Sequence, residues 1–217
     1  MKSILRWCLL GLFIASGSVH AIVEVDVNGV LQQVDNGILI GAKGVRVGAR
    51  FFDVQFVDGT CKALFSGCDE LQDFPFSEAD TYLAARALDF SVFIDASYPF
   101  DTAPNLTRGC ANMFNCSIAI PYTFDLAYNF VDENGNPADG QSAVFHNNIS
   151  QTHAGDGEGI EGLFVEADSS TQDKLVYALW TQTGMIPEPE AAACLVLGLL
   201  PLLLVHWRRT RPRGHTQ

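Results

Sequence analysis

The chain has 217 residues, 48% of them hydrophobic, and its 25 acidic against 13 basic side chains give a formal net charge of −12 at pH 7. A surface of that sign is repelled by nucleic acid and by anionic lipid, so no nucleic-acid partner is expected. The balance suits a soluble extracellular protein, or one that gathers divalent cations.

Met1 to Ala21 begins with Lys2 and Arg6, continues through an apolar run from Trp7 to Ala15, and closes on the small residues before Val19-His20-Ala21. That order is a secretory signal peptide with cleavage after Ala21. Cys8 lies too early for a lipoprotein anchor. Beyond the signal, residues 22–186 make one domain of 165 residues, long enough for a sizeable core; seven basic residues there face 23 acidic ones, a balance of −16.

The expected fold class is α+β, mainly an antiparallel β-sheet with one packed helix. Val45 and Val47 alternate with Arg46, and Phe52, Val54 and Phe56 alternate with Asp53 and Gln55, while the frame slips near Gly48. A hairpin or bulge at Gly48 would return both sets to one core. Four cysteines follow in the domain, Cys61, Cys68, Cys110 and Cys116. An even number in an exported chain reads as disulfides, and of the three possible pairings the short spacings favour Cys61–Cys68 and Cys110–Cys116. The spacings exceed those of a zinc site and no histidine lies nearby.

Between the cysteine pairs, "SEADTYLAARALDFSVFID" predicts a helix over about 78–94, with Ser77 as cap, Asp80 reaching back to it, and Ala79, Leu83, Ala87, Phe90 and Ile94 on the buried face. Period-two alternation of Ile118, Ile120, Tyr122, Phe124, Leu126, Tyr128 and Phe130 predicts a long strand with one buried face. Pro121 cannot donate to a ladder, which puts that part at an edge or bulge. Asn134-Gly135 is a turn signal, and "SAVFHNNIS" is the expected antiparallel partner. "KLVYALW", Lys174 to Trp180, is apolar on both faces and reads as a central strand.

Candidate chemistry is sparse. His146 and His153, with Asp156 or Glu158, could bind a metal or act as a base, which would make a metal-dependent hydrolase. Their spacing matches no metal signature, and a surface loop explains them as well. No nucleophile elbow, zinc-protease helix or phosphate loop occurs, so no catalytic residue is assigned. Calcium is the cation to consider: Asp132, Asn134, Asn136 and Asp139 supply hard oxygens, as do Asp156, Glu158 and Glu161. The first set departs from the EF-hand pattern, and an Asn-Gly hairpin accounts for it more simply. Tyr122, Tyr128, Tyr177 and Trp180 could stack on sugar rings, but their alternation with apolar neighbours places them in the core first.

Ala191 to Val205 is uncharged and, with His206 and Trp207, would span about 25 Å as a helix at roughly 1.5 Å per residue. Arg208, Arg209, Arg211 and Arg213 follow, so the positive-inside rule leaves the tail in the cytoplasm and the domain outside the inner membrane. Directly before this helix stand Pro187, Glu188 and Pro189. Two prolines disfavour helix in the residues before them and hold an extended, protease-accessible strip at the membrane surface.

The triplet, the single hydrophobic helix and the Arg-rich tail, in that order over 187–213, resemble the PEP-CTERM sorting signal of exported proteins in Gram-negative bacteria that make exopolysaccharide. The resemblance implies recognition and cleavage by a membrane-embedded exosortase, a transient stay in the inner membrane, and a final place at the cell surface or in the extracellular polysaccharide matrix. The stretch "GILIGAKGVRVGARFFDVQFVDGTCKALFSGCDELQDFPF", with its Phe-x-Asp-Gly-Thr-Cys and Leu-Phe-x-Gly-Cys-Asp block followed by an Ala-rich helix, also looks like the exported region of one PEP-CTERM group. That group carries no assigned activity, so the likeness implies location and not chemistry.

Overall fold

The computed structural model describes residues 21–95, 97–123, 130–131, 135, 137–148 and 156–185. Pro187, Glu188, Pro189, Arg208, Arg209 and Arg211 lie outside these residues, as do Asp132, Asn134, Asn136, Tyr128, His153 and the signal segment before Ala21. Among the described residues no helix is long and apolar enough to cross a membrane; the expected span 191–207 is not among them.

The first four strands form a meander: β1 (Val23–Val27), β2 (Val30–Asp35), β3 (Ile38–Val47) and β4 (Arg50–Val57). Asn28-Gly29 and Asn36-Gly37 join the first three, all four residues at positive φ, which is the two-residue turn whose twist matches the flanking strands. The frame slip near Gly48 resolves as expected. Val45 pairs with Phe52 and Val47 with Arg50, and an irregularity between Ala42 and Val45 keeps both alternating sets facing one core.

After β4 the chain leaves the sheet through α1 (Cys61–Leu64) and α2 (Glu78–Ala87), then returns as β5 (Asn115–Thr123), β6 (Gly140–Asn148), β7 (Gly157–Leu163) and β8 (Leu175–Met185). One eight-stranded sheet results, in the order β1-β2-β3-β4-β8-β5-β6-β7. β8 is central, as its two apolar faces require. Its pairing with β4 is antiparallel, but Ser117–Ala119 of β5 run parallel to Leu175–Tyr177. The sheet is therefore antiparallel-dominated and not purely antiparallel. The cause is the connection from β7 to β8, which returns across the sheet without reversing direction, whereas β4 to β5, β5 to β6 and β6 to β7 each reverse it.

β5 is buried on both faces, not one: Ser117 and Ala119 are covered as well as Ile118 and Ile120. A register shift falls between Pro121 and Thr123, beyond the stretch paired with β8, so the proline sits where a missing donor is tolerated. Gly135 has φ +82°, and Val131 bridges Pro137 in antiparallel fashion around it, in keeping with the turn expected there.

The helix departs from its expected register. The Ser77 hydroxyl accepts the Asp80 N–H, but Asp80 takes the Ser77 hydroxyl and the Arg50 guanidinium rather than closing a reciprocal box. α2 ends at Ala87 and a π-helical turn carries on through Leu88–Val92. The buried face is Thr81, Ala84, Ala85, Leu88 and Val92, whereas Leu83 and Phe90 are 47% and 53% exposed. Size misled the pattern: alanines let the helix axis approach the sheet closely, and the π turn then rotates Phe90 outward. Arg86 covers the Phe90 ring, its guanidinium 5.3 Å from the centroid.

Two cores follow from the two faces. On the α2 face, Phe56, Phe93, Phe100 and Phe145 pack with Val176, Ala178 and Trp180 of β8. On the opposite face, Phe65, Phe74, Leu163 and Tyr177 gather under the α1 segment. Cys61–Cys68 and Cys110–Cys116 are disulfides, each with Cα atoms 5.7 Å apart, the pairing expected from spacing.

The corrected helix face has a measurable consequence. Leu88→Ala should lower unfolding free energy by about 2–5 kcal/mol by opening a cavity. Leu83→Ala should change it by no more than about 0.5 kcal/mol, as for an ordinary surface site. Chemical denaturation of both variants checks this, and equal losses would restore the original register. Replacing both Cys61 and Cys68 by Ser should cost about 2 kcal/mol, since the loop closed is short.

Candidate functional site

β5, β6 and β7 lie side by side, and their register aligns one polar row across the face opposite α2. Ser117 is the cross-strand partner of His146, whereas Glu161 is paired with Ser142, four residues along β7 from Gly157, the partner of His146, and its side chain reaches diagonally toward the ring. The Ser117 hydroxyl lies 3.0 Å from His146 Nδ1, and His146 Nε2 lies 3.6 Å from Glu161 Oε1. The tautomer with hydrogen on Nε2 serves both contacts: Ser117 donates to Nδ1, and Nε2–H points to the carboxylate.

Gly159 makes room for this row. A Cβ there would stand 3.2 Å from His146 Nε2, so a side chain would push the ring off Glu161. Ser117, His146, Glu161, Gln172 and Lys174 line a cavity of about 180 Å³. Next to it, sharing Glu161, Gln172 and Leu175, is a space of about 130 Å³ walled by Ala119, Val144, Leu163 and Tyr177. The Ser142 hydroxyl faces that space, buried and with no hydrogen-bond partner. Burial, aided by Asp168, pushes the Tyr177 phenol up to about 12 and keeps it neutral.

Of the residues singled out in the sequence, His146 belongs to this row and His153 lies outside the described residues. The sequence pattern does not single out Ser117, and it offers Glu161 only as a cation ligand. A signal for both was present: alternation puts Ser117 on the face opposite Ile118, and Gly157-x-Gly159 marks a strand stripped of side chains where a partner ring must pass.

Of the first calcium set only Asp139 is among the described residues. Asp139 Oδ2 accepts the Val165 N–H at 2.9 Å, a loop-fixing contact. Glu161 projects from the same face of β7 as Gly157 and Gly159, and Asp156 and Glu158 alternate to the other, so the three cannot converge on one ion. Among the described residues no group of three or more His, Cys, Asp or Glu side chains is arranged to hold a metal. Tyr122, Tyr177 and Trp180 are buried and offer no ring for sugar stacking, with Tyr122 donating to Gln141 Oε1 at 2.6 Å.

No protein-family model matches the chain, and neither a curated protein nor a solved structure matches it. The site must be read from its own chemistry.

A second ionisable group lies across the sheet, beside β6. Asp156 Oδ1 accepts the Asn148 N–H at 2.6 Å, and the carboxyls of Asp101 and Asp89 are close by, both buried. Burial, then the Asp101 carboxyl and the charge of Asp89, push Asp156 up to about 7, against the pull of the Asn148 N–H. The fold therefore favours protonated Asp156. As pH falls from 8 through 7 the folded state takes up a proton that the unfolded chain binds only near 4, so stability should rise between about pH 8 and pH 4 and level off below. Discounted for the half-exposed side chain, the gain should be about 1–2 kcal/mol. Denaturation midpoints across this range check the slope, and Asp156→Asn should flatten it.

Proposed function

We propose that this chain is an exported cell-surface or exopolysaccharide-matrix protein, sent out by residues 1–21 and sorted and cleaved by an exosortase at the signal spanning 187–213. The observation that carries this reading is the pair of disulfides. All four cysteines of residues 22–186 are consumed in them, and bonds of this kind persist in oxidising compartments outside the cytoplasm. The other two cysteines, Cys8 and Cys194, fall in the two segments that processing would remove. The acidic balance of the domain fits a protein kept soluble in the extracellular space, where polysaccharide is the available partner.

In this reading the inner membrane is a transient site and the helix 191–207 a temporary tether, as with other tails that are removed after anchoring. The export role asks for no catalysis and no cofactor.

Intact mass of the native protein from the producing cells, reduced and non-reduced, tests the reading. The expected product starts at Ile22, ends near Pro187 and gains about four daltons on reduction of two disulfides. A product that still carries Trp207 and the arginines would overturn processing. Replacing Pro187 and Pro189 by Ala should leave the tail attached.

A further inference from the structure

We propose that Ser117, His146 and Glu161 form a metal-independent ester-hydrolysing site, with Ser117 as nucleophile, His146 as general base and Glu161 as the residue that positions the imidazole. This inference stands apart from the sorting reading and would survive its failure.

A hydroxyl nucleophile needs a base within hydrogen-bond reach and a third group to hold the base, and the constellation is recognised by these roles and not by chain order. The 3.0 Å contact from Ser117 to His146 Nδ1 supplies the first, and Glu161 Oε1, 3.6 Å from Nε2 and so within ion-pair reach though beyond hydrogen-bond length, is the group placed to supply the second once the imidazole is protonated. Two further features argue against a chance surface cluster. Gly159 leaves the space in which the ring spans from Ser117 to Glu161. The row also lines a cavity open to solvent on one side, and the adjoining pocket presents apolar walls together with the unpartnered Ser142 hydroxyl.

The dimensions select the substrate. An annex of about 130 Å³ bounded by Ala119, Val144, Leu163 and Tyr177 accommodates a short acyl chain, not a long one. The alcohol portion would lie toward Gln172 and Lys174, at the mouth of the larger cavity. The Ser117 N–H already donates to the Lys174 carbonyl at 2.7 Å, so that N–H is not free to bind an oxyanion. The ammonium of Lys174 is the cationic group on the lining that can meet the developing negative charge.

Catalysis then balances without a cofactor. Ser117 Oγ bonds to the ester carbonyl carbon as its proton passes to His146 Nδ1, and the carbonyl π pair moves onto oxygen. When the carbonyl reforms, the C–O bond to the alcohol breaks and the leaving oxygen takes the proton from Nδ1. Water repeats both steps on the acyl-serine, releasing the carboxylic acid and restoring the hydroxyl.

The test uses the full-length chain, a fluorophosphonate probe and 4-nitrophenyl acetate. One phosphonate per chain is expected, mapped by peptide mass to Ser117 and absent from Ser117→Ala. Ester hydrolysis should fall about 10²-fold or more in both Ser117→Ala and His146→Gln, the usual range for loss of a positioned base. Glu161→Gln should lower kcat with KM unchanged, which a merely structural carboxylate would not do. Near-UV circular dichroism and recovery of the Cys61–Cys68 and Cys110–Cys116 disulfides by non-reduced peptide mass establish that each variant is folded. If Ser117→Ala does not fold, the wild-type adduct still decides. No adduct on folded wild-type protein, an adduct at another residue, or hydrolysis indifferent to Ser117→Ala would each overturn the proposal.

Discussion

The structure depends on a strand that must be covered on both sides. From Leu175 to Trp180, β8 alternates Val176, Ala178 and Trp180 with Leu175, Tyr177 and Leu179, and both sets are apolar. An edge strand, or one side of a two-layer packing, would leave half of these in water at about 25 cal/mol for each Å² exposed. The central position, with α2 on one face and the α1 segment on the other, removes that cost. In the ladder, β1 to β4 and β5 to β7 meet through this one strand.

The two coverings differ in chemistry, and the difference explains where polar groups could collect. α2 lies close because Ala84 and Ala85 meet the sheet, and the phenylalanines beneath it pack in tilted pairs such as Phe93 and Phe145, 5.0 Å apart. The opposite face is roofed over Tyr177 and Leu163 by the loop that Cys61–Cys68 closes. Beyond the edge of that roof the face carries Ser117, His146 and Glu161, where a side chain can keep water on one side and a hydrophobic floor on the other. Such mixed surroundings are where titratable groups are held in defined geometry.

Much of the sheet was legible because its signals are local. The Val45 to Phe56 hairpin and both disulfides follow from spacing over a dozen residues or fewer, the pairing of β5 with β6 from alternation on either side of a turn signal, and the double-sided β8 from a two-faced apolar run. The direction of β5 against β8 was not legible, since it is set where the chain passes from β7 to β8 across the sheet without reversing, and no local pattern records that path. The helix register failed for another reason. A hydrophobicity pattern weights Leu83 and Phe90 above Ala84 and Ala85, whereas a close-packed contact needs the smaller side chains. The polar row was half legible: His146 drew notice by residue type, but Ser117 and Glu161 gain meaning only once three strands set them side by side.

Placing the closing strand last in the described domain has a consequence for how the fold is reached. A chain delivered residue by residue presents β1 to β4 first and β5 to β7 later, each group with an unsatisfied inner edge until residues 175–185 are available. Such long-range closure is slow compared with hairpin formation, and exposed edges invite pairing with other chains while they wait. Glu24 and Asp26 on the outermost strand β1 place charge at its permanent edge, whereas β4 carries only Arg50 and Asp53 and β5 only the bulge at Pro121. The rate at which the final strand inserts thus governs how long the molecule is vulnerable to aggregation.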